Sequence, residues 1–386
     1  MSFVSTYSAA SIRAWQSPNK AWAYSRNIPK PSTNANTFFG NTAAIDATGN
    51  YAVIGAQDPV ANGKLTVVSG LGLANTTTLT PTYPGNNRIG SSVAMNDSGN
   101  IIVATDRIAN RVAIFTRTSN TWTQAQAITL SNIASEKDAC TIDSSGDYIV
   151  VGANGNAVVY FNTGGTWSVQ QTIPITTAVS WPVDLSGDST YLAAGNLATA
   201  NGIVNIFTRS GTTWSSQANI TPSVPIPGQG FGTEIALNDF GNILFVGAPQ
   251  ATISGKLGAG SVYIYNRTGN SWSQTQIITP TDTGPQQAFG GSISLNASGN
   301  TAMIGAYAFD GNSGNQSNNQ GKVYYFQNIN NTWQQTQSFQ SPNIAGSEFF
   351  GSAVAMSKND LMAVIGAPGN DVGNVNIGAA YVYVNQ

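Results

Sequence analysis

Aspartates and glutamates are the first candidates for chemistry in this sequence, which contains no histidine and a single cysteine, Cys140. The commonest general base and the commonest transition-metal ligand are therefore missing, and no intrachain disulfide can form. Two carboxylates at a suitable separation are enough to hydrolyse a glycosidic bond. Asp58, Asp282, Asp310 and Asp371 each fall in a loop between apolar runs, on what should be one face. Loop acids are more often simply solvated, and nothing in the spacing pairs these four. A second chemistry is suggested by ALNDFGNILFVGAP, residues 236–249, where Asn238, Asp239 and Asn242 surround Gly241. Such oxygens could ligate calcium, or they could close a tight turn. The sequence holds no Gly-x-Ser-x-Gly elbow, no phosphate-binding loop and no Cys or His pair at zinc spacing. It thus assigns no catalytic, cofactor or metal residue and reads as a non-enzymatic chain.

The elements that carry these residues are repeated. AAIDATGNYAVIGA, VAMNDSGNIIVAT, CTIDSSGDYIVVGA, VDLSGDSTYLAAG, ISLNASGNTAMIGA and VAMSKNDLMAVIGA match the stretch above and make seven copies. Their turn glycines are Gly49, Gly99, Gly146, Gly187, Gly241 and Gly299, with Asp360 in the seventh slot. A period of about 40 to 60 residues belongs to propeller blades rather than to helical repeats. An Asx residue stands three before each glycine: Asp46, Asn96, Asp143, Asp184, Asn238 and Asn296. This is the pattern of a type I turn, in which the Asx side chain bonds the backbone two residues on and glycine takes a positive φ. In copies one, three, four and six Asp239 is replaced by Ala, Ser or Leu, so it reads as incidental. Trp181 and Cys140, six residues before their turn glycines, read as core side chains.

Each unit resolves into four short strands. TEIALN and NILFVGA flank the turn, GSVYIYNR alternates, and SWSQTQIITP closes the unit. A tryptophan opens the fourth strand in five copies, at Trp122, Trp167, Trp214, Trp272 and Trp333, where packing at the blade's outer edge is expected. The last copy stops after its third strand, while the N-terminal NKAWAYSRNIP matches the fourth-strand pattern with Trp22 in the Trp position. The fold expected is all-β: a seven-bladed β-propeller of four-stranded blades, closed by the N-terminal strand completing the last blade. Its domains are an N-terminal arm, 1–18, and the propeller, 19–386.

The units resemble the FG-GAP repeats of integrin α-subunit propellers. Phe-Gly pairs stand at Phe39-Gly40, Phe231-Gly232, Phe289-Gly290 and Phe350-Gly351, and Gly-Ala-Pro at 247–249 and 366–368. Copies two to four depart from the pattern: Ile89 replaces the Phe, Ala104 replaces the second-motif glycine, and copies three and four lack Phe-Gly. In the family, the turn often carries Asp-x-Asp-x-Asp-Gly-x-x-Asp, which binds calcium. None of the seven turns here has that spacing, so calcium-free turns are expected. The resemblance also implies that the connection after the second strand shares a face with the one entering the first, the face integrins use for partners.

Charged residues make up 8% of the chain and the formal net charge is −2, where an ordinary soluble domain carries about 25% charged residues. An amide- and hydroxyl-rich surface offers no counterion release, which argues against nucleic acid. No run is long and apolar enough to insert in a membrane, and no classical signal peptide is visible. The expected partner is another protein or a larger assembly, with a neutral glycan held in a lectin-like propeller as the alternative. A surface protein follows from this, either a cell-surface or secreted adhesion module or a structural component of a virion. The long loops 249–260, 307–321 and 368–378 set copies five to seven apart and should build one binding face, with Asp310, Asn312, Asn315, Asp371 and Asn374 as contact residues. Arg13 and Trp15 make the arm a second docking candidate.

Overall fold

A computed structural model describes residues 21–30, 37–56, 63–83, 88–130, 133, 139–175, 182–197, 199–311, 318–343, 346–369 and 377–386. The strands pair into seven antiparallel sheets of four. Blades 1 to 6 run in sequence order over 43–79, 89–129, 140–174, 183–220, 234–278 and 289–339. Blade 7 joins 353–385 to the N-terminal strand Trp22–Asn27, whose Trp22 stands opposite Asn385 and Asn27 opposite Tyr381. The ring is closed as the sequence requires. The first strands touch one another in a full circle, blade 7 against blade 1 included, and their free edges line the axis.

Burial explains the strand sequences. The second strand lies between two neighbouring blades, so YIVVGA in blade 3 is buried throughout and does not alternate. The fourth strand is outermost, and TWTQAQAIT in blade 2 alternates between exposed and half-buried. Among the described residues the single helical element is the short 3₁₀ turn Leu71–Leu73, and no helix is long and apolar enough to cross a membrane.

Three details of the repeat reading are corrected by the coordinates. In five turns the glycine does take a positive φ, between 56° and 86°, and Asp360 adopts 61°. In the fourth copy, however, Ser189 (φ 51°) holds that place, and Ser186 holds the Asx place by accepting from the amides of Thr190 and Tyr191. Asp184 and Gly187 therefore sit two residues out of the assumed register. Val183, 3% exposed, fills the core position given to Trp181, which lies outside the described residues. Second, the Asx oxygens reach four and five residues on rather than two: Asn96 Oδ1 accepts from Asn100 and Ile101, and Asn238 Oδ1 from Asn242 and Ile243. Third, strand pairing puts Thr105, not Ala104, where the other blades have the second-motif glycine. Its Oγ1 accepts from the amide of Ser92.

Candidate functional site

The Phe-Gly motif is a latch between blades. Phe289 and Phe350 are fully buried, and their amides donate to Ala259 and Gln320 at 3.1 Å, in the loop after the second strand of the preceding blade. Phe39 does the same to Ile377 at 3.2 Å. The following glycine needs its φ of 85–90° at Gly40, Gly232, Gly290 and Gly351. It also lies backbone to backbone against the second-strand glycine of the previous blade. A Cβ on Gly195, Gly247, Gly305 or Gly366 would fall well under 3.0 Å from the carbonyl oxygen of Gly232, Gly290, Gly351 or Gly40. Thr105 is tolerated because blade 3, which it faces, brings no Phe-Gly pair.

Tyrosines on the third strand extend the latch in blades 5 to 7. Tyr263, Tyr324 and Tyr381 lie against Phe231, Phe289 and Phe350, with centroids 5.1, 5.5 and 5.8 Å apart. The Tyr263 hydroxyl reaches the carbonyl of Val224 and Gln229 Oε1, fixing the connection that enters blade 5. The Tyr324 hydroxyl donates to Asp282 Oδ1 at 2.8 Å, while Lys322 Nζ lies 2.6 Å from Oδ2. Burial, then the Asp282 carboxylate, pushes the Tyr324 hydroxyl well above the usual range. Asp282 is thus held in a structural network. Asp310 Oδ1 accepts from the amide of Asn319 and closes its own loop. Asp58, Asp371, Asn312, Asn315, Asn374, Arg13 and Trp15 lie outside the described residues, as does the proposed arm.

The loops so fixed carry exposed apolar side chains. Five of the nine large hydrophobics exposed among the described residues, Phe38, Ile108, Val224, Ile226 and Leu257, belong to this face; Phe240 sits on the turns of the other. Val224 and Ile226 alternate with Pro225 and Pro227 in VPIPG, where each proline fixes its own φ and restricts the residue before it. Leu257, 70% exposed, lies within the long loop 249–260; its carbonyl accepts from Gln286, and Lys256 Nζ donates to the Thr283 carbonyl.

The repeated tryptophans play a different part. Trp22, Trp167, Trp214 and Trp333 are buried between blades. A glutamine from the preceding blade grips each backbone: Gln126 pairs with Trp167, Gln171 with Trp214, Gln276 with Trp333 and Gln337 with Trp22, each through one donated and one accepted bond of 2.6–2.9 Å. The signal was present in the sequence as a Gln four residues after the Trp. Asp184, whose spacing mimics a turn Asx, and Glu234, which no motif singled out, are inner-strand acids that accept from the amides of Leu237 and Ile293 in the next blade. They line an axial cavity of about 230 Å³. At its turn end Asp239, far from incidental, meets Lys358 at 2.6 Å.

Residues 272–326 and 333–383 match the family model described as FG-GAP repeat. A search of the curated proteins returns no match. Among solved structures the chain is similar to the β-propeller domain of Myceliophteria thermophila Cps50 (Swd1), at TM-score 0.64 and 9% identity over 94% of this chain and 99% of that one. It is also similar to Kuenenia stuttgartiensis hydrazine synthase, at TM-score 0.61 and 11% identity over 89% and 96%. At such identities the likeness is one of fold.

Proposed function

Because this chain is a seven-bladed β-propeller carrying FG-GAP repeats, we propose that it is a non-enzymatic protein-interaction scaffold working at a surface. The surface is that of a cell or of a virus particle, with the chain serving as an adhesion module or a structural component. The observation that carries this reading is the rigid loop face over blades 4 to 6, where Val224, Ile226 and Leu257 stand exposed on backbone that is already fixed. Apolar groups on preorganised loops bind a protein partner without an ordering cost. The engagement of Asp282 by Lys322 and Tyr324 supports the non-enzymatic reading, since it leaves that acid tied to the fold. The glycan alternative is less well supported, because four of the repeated tryptophans are buried and offer no ring to a sugar.

The test is fractionation of the native material by size, with wild type compared to V224S/I226S/L257S and to F240S on the opposite face. The chain should travel with a large assembly, the triple variant should be released, and F240S should stay. A chain found only as a free monomer, or a triple variant that remains assembled, overturns the proposal.

A further inference from the structure

The seven turns at the other end of the propeller are joined to one another. Each turn donates a backbone amide to the next: Ala47 to Asp97, Asp97 to Ser144, Ser144 to Gly187, Asp188 to Asp239, Asp239 to Ala297, Ala297 to Lys358, and Asn359 to Ala47, over 3.1–3.4 Å. The circuit closes on itself. Individually these bonds are long, and each joins two exposed loops, so each alone is weak.

Lys358 is the one basic residue at the seven second positions of these turns, the others being Ala47, Asp97, Ser144, Gly187, Asp239 and Ala297. From the turn of blade 7 its ammonium reaches Asp97 Oδ1 and Asp239 Oδ1 at 2.6 Å each and Ser144 Oγ at 2.7 Å. Those partners belong to blades 2, 5 and 3. In a ring of seven, blade 3 is as far from blade 7 as a blade can be, so the side chain crosses the axis. It lines the end of the axial cavity together with Asp97, Gly187 and Asp239. The three groups stay only about a quarter to a third exposed, which strengthens their attraction over that of a free surface pair.

We infer that Lys358 is the lock of this hydrogen-bonded circuit: it ties opposite sides of the ring, so that the seven turns open as one unit rather than singly. The turn face then behaves as a rigid floor that shuts one end of the axial cavity. A cross-ring tether does this where seven neighbour-to-neighbour bonds cannot, because any one of those can break while the rest hold.

Amide hydrogen exchange of the turn segments tests it, with wild type set against K358M and K358R. The lock requires that K358M speed exchange about tenfold or more in all seven turns, including those of blades 1, 4 and 6, whose side chains Lys358 does not touch. K358R, which keeps a cation, should restore much of the protection. Acceleration confined to the turns of blades 2, 3 and 5, or none at all, overturns the inference and leaves an ordinary ion pair. Should K358M not fold, D97N/D239N removes both carboxylates while keeping the lysine, and the same seven-turn pattern is required of it.

Discussion

Gly305→Ala puts the latch to its sharpest test. The added Cβ would fall well under 3.0 Å from the carbonyl oxygen of Gly351 and from Ser292 Oγ, whereas ordinary contact starts near 3.4 Å. The obstacle is backbone, which cannot swing aside like the end of a side chain. Gly351 is itself fixed by the bond from its amide to Gly366 O at 2.9 Å. Blades 6 and 7 must therefore separate at their tightest point, and closure of the ring passes the displacement on to the other joints. Overpacking of this kind costs up to about 3 kcal/mol. Unfolding entropy near 2.1 cal/mol/K per residue gives about 0.8 kcal/mol/K for 386 residues, so the melting temperature should fall by up to about 4 °C. Calorimetry reads that shift directly. Thr105→Ser, at the matching place in blade 2, adds no atom and keeps the hydroxyl that accepts from the Ser92 amide, so it should move it by far less. A Gly305→Ala protein that melts with wild type would show that the backbone contact does not dictate glycine here.

Two further outcomes follow from the tyrosines. Burial holds Tyr160 at about 12 and pushes Tyr83, Tyr265, Tyr324, Tyr325 and Tyr383 higher still. Because the folded values exceed the unfolded value near 10, the stability they contribute is full below pH 10 and is lost as pH rises above it. Tyrosinate absorbance should accordingly lag behind that of the unfolded chain and then rise together with unfolding. Tyr263→Phe removes the hydroxyl that holds Val224 and Gln229, at about 1 kcal/mol, and should speed amide exchange across 221–229 while the blade 5 strands stay protected.

The blade count, the closing strand and the latch positions were legible because they repeat: a strand buried on both sides must be apolar throughout, and a glycine pressed against backbone has no substitute. The fourth copy misled because Ser186 and Ser189 perform the Asx and glycine roles, while Gly187 and Asp184 imitate them two residues away. Lys358 and Glu234 were not legible for the opposite reason. Each occurs once, and its meaning lies in reach across blades, which a one-dimensional comparison of copies treats as noise. Glutamine at four past the tryptophan did repeat, yet fourth strands are rich in Gln, Ser and Thr, and composition concealed it.

At the joints into blades 3 and 4 one of the two devices that join blades stands in for the other. Blades 3 and 4 bring no Phe-Gly pair, and it is at their entering joints that Gln126 grips Trp167 and Gln171 grips Trp214. The joints into blades 6 and 7 have both latch and grip, while that into blade 1 has the latch, with Arg26 standing where the glutamine would be. The same two hydrogen bonds should then matter unequally. Gln171→Ala leaves the Trp214 amide and carbonyl without their partner at a joint that has no latch, a loss of about 1–3 kcal/mol. Exchange across Thr213–Ile220 should rise about tenfold or more. Gln276→Ala removes the matching pair from Trp333, but the buried Phe289 still holds blade 6 against blade 5, and Thr332–Phe339 should stay within about threefold of wild type. Equal acceleration in the two variants would refute the division of labour. If it holds, adding Phe289→Ala to Gln276→Ala should turn the joint between blades 5 and 6 into one that opens as readily as the joint between blades 3 and 4.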